Sequence, residues 1–327
     1  MSTSMKILLL TTINDLYQED YFELTILHGL RSLLGDRLID VPRKSICYHD
    51  FYVKDKESLH GRGFTLLRNK FPDIPQELRD NYLDYCYDAV IVGQGHVWGE
   101  DPSERLSGIT AKAVWILDGH DLYGQAPRLI THKGRIVIGS QYANSFKREL
   151  VEELPPELNV YPSGFGIPIE TIRPINLSLK NQLFPRTVPS RSVFGVDEEL
   201  GSRRHHVFHE EDEYFDDISR SWFGLTCMKG GWDALRHYEI IAAGTLLLFR
   251  DLKDKPKFCS PQNLPAPSYS SPEELNAIVH SLLPNGVPSE DYQRILTLQR
   301  EWLISNGTTV ARALDVVRVI LKHLSKS

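Results

Sequence analysis

A lysine, two glycines, an arginine and a glutamate gather in one short run, Lys229-Gly-Gly-Trp-Asp-Ala-Leu-Arg-His-Tyr-Glu239. Ile-Ile-Ala-Ala-Gly244 and the apolar Leu246-Leu-Leu-Phe249 follow at once. A glycine pair ahead of a helix reads as an anion-binding turn, because the first helical turn offers free N–H groups and a partial positive charge. Asp233 is the expected N-cap and Gly244 the expected C-cap. Arg236 and Glu239, three residues apart, then share a helix face with Trp232 and Ala243. Two cations, a helix N-terminus and one carboxylate suit a nucleoside diphosphate with its ribose.

Other residues invite chemistry at the ends of predicted strands. Leu117-Asp-Gly-His-Asp-Leu-Tyr-Gly124 ends a buried strand with groups that accept or donate protons, Asp118, His120 and Asp121. The alternative is a turn with an aspartate cap. Gly93-Gln-Gly-His-Val-Trp-Gly99 imitates a dinucleotide fingerprint, with Asp118 as the later acid. Its third glycine is one place late and Glu100-Asp101-Pro102 interrupts the required helix, so an NAD enzyme is disfavoured. A loop lining the acceptor side, with His96 in a cleft, fits better. His205-His-Val-Phe-His-Glu-Glu-Asp-Glu213 has the residue types of a metal cluster but sets no three ligands on one rigid element. It reads as a solvated loop entering a helix, and no metal is expected.

The elements that must position these groups alternate. Lys6 to Thr11, Leu38 to Val41, Tyr87 to Gly93, Ala113 to Asp118 and Arg135 to Gly139 read as strands, most of them continuously apolar as parallel strands buried on both faces are. Leu24, Leu27, Leu30 and Leu34 lie on or near one face of a helix closed by Gly35. Cys47 through Phe71 is an irregular, aromatic-rich insertion, and Asn144 to Val151 reads as a helix. Tyr161-Pro-Ser-Gly-Phe-Gly-Ile-Pro to Pro174 is the linker.

Beyond the linker the alternation restarts, with strands at Ser192 to Val196 and Phe223 to Thr226 and a helix at Glu213 to Trp222. Ser271-Pro272 opens another helix, and Tyr292 to Leu324 supplies more. The fold class is α/β with a parallel sheet, and ligands are expected beyond the carboxyl ends of its strands.

Composition bounds the remainder. With 327 residues, 41% hydrophobic and 24% charged, the chain suits two globular domains of ordinary size. A net charge of −6 argues against an extended nucleic-acid surface. The four cysteines show no metal or disulfide spacing. No apolar run approaches the roughly 20 residues of a membrane span, and the amino terminus does not read as a signal peptide. A cytoplasmic location is expected, and the oligomeric state is left open.

The run from Ser221 to Gly244, with the strand after it, resembles the C-terminal donor-binding domain of glycosyltransferases of the two-Rossmann-domain (GT-B) architecture, of the family 1 and family 4 kind. The resemblance covers residues 160 to 325 in sequence and the first half only in layout. It implies an acceptor-side domain at residues 1–165, a nucleotide-sugar domain at 166–327, and a last helix that closes the fold or returns to the first domain. It further implies a glycosyltransferase with a nucleotide-sugar and an acceptor as its partners, no separate cofactor, and no metal.

By the resemblance, Glu239 takes the ribose hydroxyls, a bidentate role suited to a carboxylate. Lys229 and Arg236 would neutralise the diphosphate, and Gly230 and Gly231 would let the backbone approach it. Trp232 would stack on base or sugar, or else pack in the core. Of His237 and Tyr238 one faces the cleft, with His237 preferred. An inverting enzyme would take its base from His120, Asp118 or Asp121. One departure stands out. Retaining members often carry a second glutamate eight positions before the ribose ligand, and Gly231 stands there. A nucleotide-sugar epimerase or a non-catalytic nucleotide-sugar-binding module of the same fold are the other readings.

Overall fold

The computed structural model describes residues 5–12, 20–52, 64–65, 72–93, 105–119, 131–132, 135–136, 144–151, 153, 159–186 and 208–326. Six strands form the first sheet: β1 (Ile7–Leu10), β2 (Leu38–Val41), β3 (Ala89–Gly93), β4 (Val114–Asp118), β5 (Ser145–Lys147) and β6 (Val160–Pro162). All pair in parallel, in the order β6-β5-β4-β3-β1-β2. The order reverses between β1 and β3, which is where open α/β sheets place ligands. The apolar runs of β1 and β3 are buried on both faces, as continuous Leu, Ile and Val demand.

Two sequence expectations fail here. The stretch from Asn144, expected as a helix, contains β5, because Phe146 stacks on Trp115 of β4 at 4.9 Å between ring centroids. Tertiary packing overrides helix propensity there. Arg135–Ile136 pairs antiparallel with Thr131–His132 in a separate ribbon and does not enter the sheet.

Helix α1 (Tyr21–Leu34) starts on Asp20, whose Oδ1 accepts the Phe22 N–H at 2.8 Å, and it stops at Gly35. The second sheet has three parallel strands, β7 (Phe223–Thr226), β8 (Leu246–Arg250) and β9 (Ser268–Tyr269). Helix α2 (Glu211–Ser219) precedes β7, and α3 (Leu235–Ala242) joins β7 to β8. Helices α4 (Pro272–Leu282) and α5 (Glu290–Trp302) follow, each opened by a serine cap. The strand expected at Ser192 to Val196 lies outside the described residues.

The last helix, α6 (Thr309–Leu324), packs on α1 of the first sheet. Its His323 meets Trp115 edge to face, and Thr309 Oγ1 lies 2.8 Å from His28 Nδ1. At the crossing, a Cβ on Gly29 would stand 2.0 Å from the Thr309 carbonyl oxygen. Gly29→Ala therefore pushes the helices apart. We expect a loss of about 3 kcal/mol, the upper end for overpacking, measured by denaturant unfolding.

Candidate functional site

After β7 the chain turns through Lys229, Gly230 and Gly231, with the Lys229 N–H donating to the Gly231 carbonyl at 3.0 Å. The turn does bind an anion, and that anion is the chain's own Glu149. Its carboxylate accepts the N–H groups of Trp232 and Asp233 at 3.1 and 3.0 Å. A Cβ on Gly231 would stand 2.3 Å from Glu149 Oε1, so glycine is required by Glu149 itself. Burial pushes the Glu149 carboxyl above the usual carboxylate range, against the opposing pull of Arg148 and the two N–H donors.

Asp233 is not the helix cap. Helix α3 begins at Leu235 behind Ala234, with no side-chain cap. Asp233 instead accepts the Phe165 N–H through Oδ2 and the Tyr238 hydroxyl through Oδ1, both at 2.7 Å. This buried acid thus fastens the linker to α3. Because the helix starts late, Trp232 falls outside it and stacks on Phe249 in the core, off the face that carries Arg236 and Glu239.

His237 does not face a cleft. It is fully buried, with Nε2 2.9 Å from the Trp232 carbonyl and Nδ1 2.9 Å from the Thr226 hydroxyl. The carbonyl can only accept, so Nε2 carries the proton and Nδ1 accepts from Thr226. Burial, the largest cause, pushes its pKa down to about 4. The unfolded chain takes up a proton near pH 6.5 and the folded chain only near 4, so this stability is complete above 6.5 and is lost as pH falls toward 4. Two and a half pH units amount to about 3 kcal/mol. His237→Gln should flatten the slope of unfolding free energy between pH 6.5 and 4, whatever its effect at neutral pH.

Glu239 is buried and receives two hydroxyls. Thr65 Oγ1 donates to Oε1 at 2.5 Å and Tyr214 donates to Oε2 at 2.6 Å. Tyr214 stacks on Phe64, and the Thr65 N–H reaches Glu211 Oε1 at 2.6 Å. Thr65 holds a φ of 70°, a costly conformation for a β-branched residue. Lys229 and Arg236 share the field of Glu239. Lys229 is an exposed residue, yet partial loss of hydration and then the charge of Arg236 hold its pKa below the ordinary lysine value. Glu239 and Cys227 act in the opposite sense. Gly230 is exposed beside them.

In the first sheet Asp118 accepts from Lys147 Nζ at 2.8 Å. His120, Asp121 and His96 lie outside the described residues, as do His205 and His206. Glu211, Asp212 and Glu213, from the same acidic run, occupy the first turn of α2. Among the described residues no group of three potential ligands is placed to hold a metal, and no helix is long and apolar enough to cross a membrane. Four residues escaped sequence reasoning: Arg148, Glu149, Tyr214 and Thr65. Lys147-Arg148-Glu149 looks like a solvated helix surface. All three are buried, and Arg148 bridges the Gly119 and Asp233 carbonyls at 3.0 and 2.9 Å.

No protein-family model matches the chain, and no curated protein matches it by sequence. Solved structures match in fold over nearly the whole chain. A glycosyltransferase from Rickettsia africae aligns at 10% identity and TM-score 0.54, covering 99% of this chain and 100% of that one. HepE from Anabaena, solved with UDP and glucose, aligns at 8% identity and TM-score 0.50, covering 98% and 100%. Sucrose-phosphate synthase from Thermosynechococcus elongatus aligns at 10% identity and TM-score 0.50, covering 98% and 100%. At these identities the likeness defines the fold: the chain has the GT-B architecture, two α/β units with parallel sheets.

Proposed function

We propose that the chain is a glycosyltransferase that moves a sugar from a nucleotide-sugar donor to an acceptor hydroxyl. The observation that carries this reading is Glu239, whose two carboxylate oxygens accept two separate hydroxyls beside Lys229 and Arg236. A ribose presents two neighbouring hydroxyls of the same kind, and the two cations suit the diphosphate. The donor then lies on residues 166–327, and the acceptor enters from residues 1–165. Closure of the two units would exclude water from the activated sugar. Gly230 remains in the phosphate role, whereas Gly231 serves Glu149.

A thermal-shift panel of UDP, GDP, dTDP, CMP and NAD tests the reading. A ligand of the native state at a hundred times its Kd adds about 2.7 kcal/mol of apparent stability. HepE holds UDP in its solved complex, so UDP is the first probe. A shift with a nucleoside diphosphate is expected. No shift with any of them, or a shift with NAD alone, would sink the assignment.

A further inference from the structure

Helix α3 carries Arg236 and Glu239 but has no side-chain cap, so something else must fix it against the turn that carries Lys229 and Gly230. Two of its own residues do so. His237 Nε2 donates to the Trp232 carbonyl and the Tyr238 hydroxyl donates to Asp233 Oδ1, so the helix reaches back to the residues that leave the turn. The His237 link stays on the donor side, ending at Thr226 of β7. The Tyr238 link does not.

Tyr238 belongs to a closed circuit of hydrogen bonds. Its oxygen also accepts from Arg312 Nη2 of α6 at 3.3 Å, and Arg312 Nε donates to the Phe165 carbonyl of the linker at 3.0 Å. The Phe165 N–H then returns to Asp233 Oδ2 at 2.7 Å. Turn, α3, α6 and linker each contribute one member, and the side chains of Asp233, Tyr238 and Arg312 are all buried. The linker leads from the first unit to the second and the entry to α6 leads back, and the two run side by side. The Ile167 N–H donates to the Gly307 carbonyl at 3.0 Å, and the Thr309 N–H donates to the Ile167 carbonyl at 2.9 Å. Tyr238 also presses on this double passage with its aromatic face. A Cβ on Gly307 would stand 2.8 Å from Tyr238 Cδ1.

We infer that Tyr238 and Arg312 are positioning residues for the nucleotide, an inference that rests on the transferase reading. Neither is assigned a contact with phosphate or ribose. The circuit sets α3 against the turn, so that Arg236 and Glu239 meet a nucleotide at the spacing that Lys229 and Gly230 require, and its anchor is the double passage between the units. Coupling of this kind is reciprocal. A nucleotide that seats α3 therefore also tightens the passage at Ile167 and Thr309.

Calorimetric titration with UDP and GDP tests this, together with hydrogen exchange at the Thr309 amide. Tyr238→Phe keeps the aromatic packing and removes both hydroxyl bonds, whereas Arg312→Lys keeps the charge but lacks the planar fork that bridges Phe165 and Tyr238. Gly307→Ala leaves every donor and acceptor in place and displaces the Tyr238 ring. Each should raise the nucleotide Kd about 5–150-fold. The double variant Tyr238→Phe with Arg312→Lys should stay within threefold of the weaker single one, because one broken link already opens the circuit. Nucleotide should slow Thr309 exchange in wild type but not in saturated Tyr238→Phe; a tyrosine that only supports the fold would shift that rate equally with and without nucleotide. An affinity within threefold of wild type in Arg312→Lys, or losses that multiply in the double variant, would overturn the inference and leave the transferase reading intact. A wild-type chain that binds neither UDP nor GDP overturns that reading, and this role with it.

Discussion

Glu239→Gln lowers affinity for a nucleoside diphosphate at least about a hundredfold, while the free variant still unfolds in one cooperative transition. Each hydrogen bond to a charged acceptor is worth about 1.5–3 kcal/mol, so two ribose hydroxyls on one carboxylate represent about 3–6 kcal/mol, or two to four decades in Kd. Glutamine keeps one acceptor oxygen and replaces the other with a neutral NH2, from which a hydroxyl can only accept, so both bonds lose their charge assistance. The fold loses less. Tyr214 can keep its bond to the amide oxygen, and the Thr65 hydroxyl can turn to accept from the amide nitrogen.

Two internal hydroxyls already occupy the carboxylate of this buried residue, so room for a ribose comes most directly from displacing one of them. Thr65 is the one to yield: its backbone is strained, whereas Tyr214 is fully buried between Phe64 and Phe208. Thr65→Val is therefore the control. It removes an internal competitor and keeps the carboxylate, so it should bind nucleotide no more weakly than wild type. Isothermal titration of the three proteins decides the matter. Unchanged affinity in Glu239→Gln removes Glu239 from the ribose role, and a tenfold loss in Thr65→Val makes Thr65 part of the binding surface.

What could be read from the residues was what depends on near neighbours. β1, β3 and β4 are legible because strands covered on both faces must be apolar throughout. The cap at Ser271 and the stop at Gly244 are local chemistry, and Gly244 does adopt a φ of 76°. Asp233 reads as a helix cap because its true partners, Phe165 and Arg312-linked Tyr238, are set by tertiary contact. β5 reads as a helix for the same reason. Its charges suggest a wet surface until Asp118, Gly119 and the glycine turn are brought to them. His237 resembled a site residue, and only the Thr226 hydroxyl and Trp232 carbonyl reveal a neutral core side chain.

Glu149→Ala should be the most damaging single change to the fold, although Glu149 touches no ligand in any role assigned to the site. Truncation leaves the Trp232 and Asp233 N–H groups buried without acceptors and removes the carboxylate 3.0 Å from Arg148 Nη1. Arg148 retains the Gly119 and Asp233 carbonyls, so its charge stays bridged but loses its counter-charge. Breaking a buried pair from one side costs about 3–5 kcal/mol, and urea unfolding should lose that amount. The glycine turn then has an empty anion site. Formate at high concentration should refill it and recover part of the lost stability in the variant, with no effect on wild type. Nucleotide affinity should fall too, because the same turn sets Lys229 and the start of α3. Were Glu149→Ala to lose less than about 1 kcal/mol, the typical value of one ordinary hydrogen bond, the turn would be holding itself. The glycine pair would then be free for an outside phosphate, and Gly231 would return to the donor site.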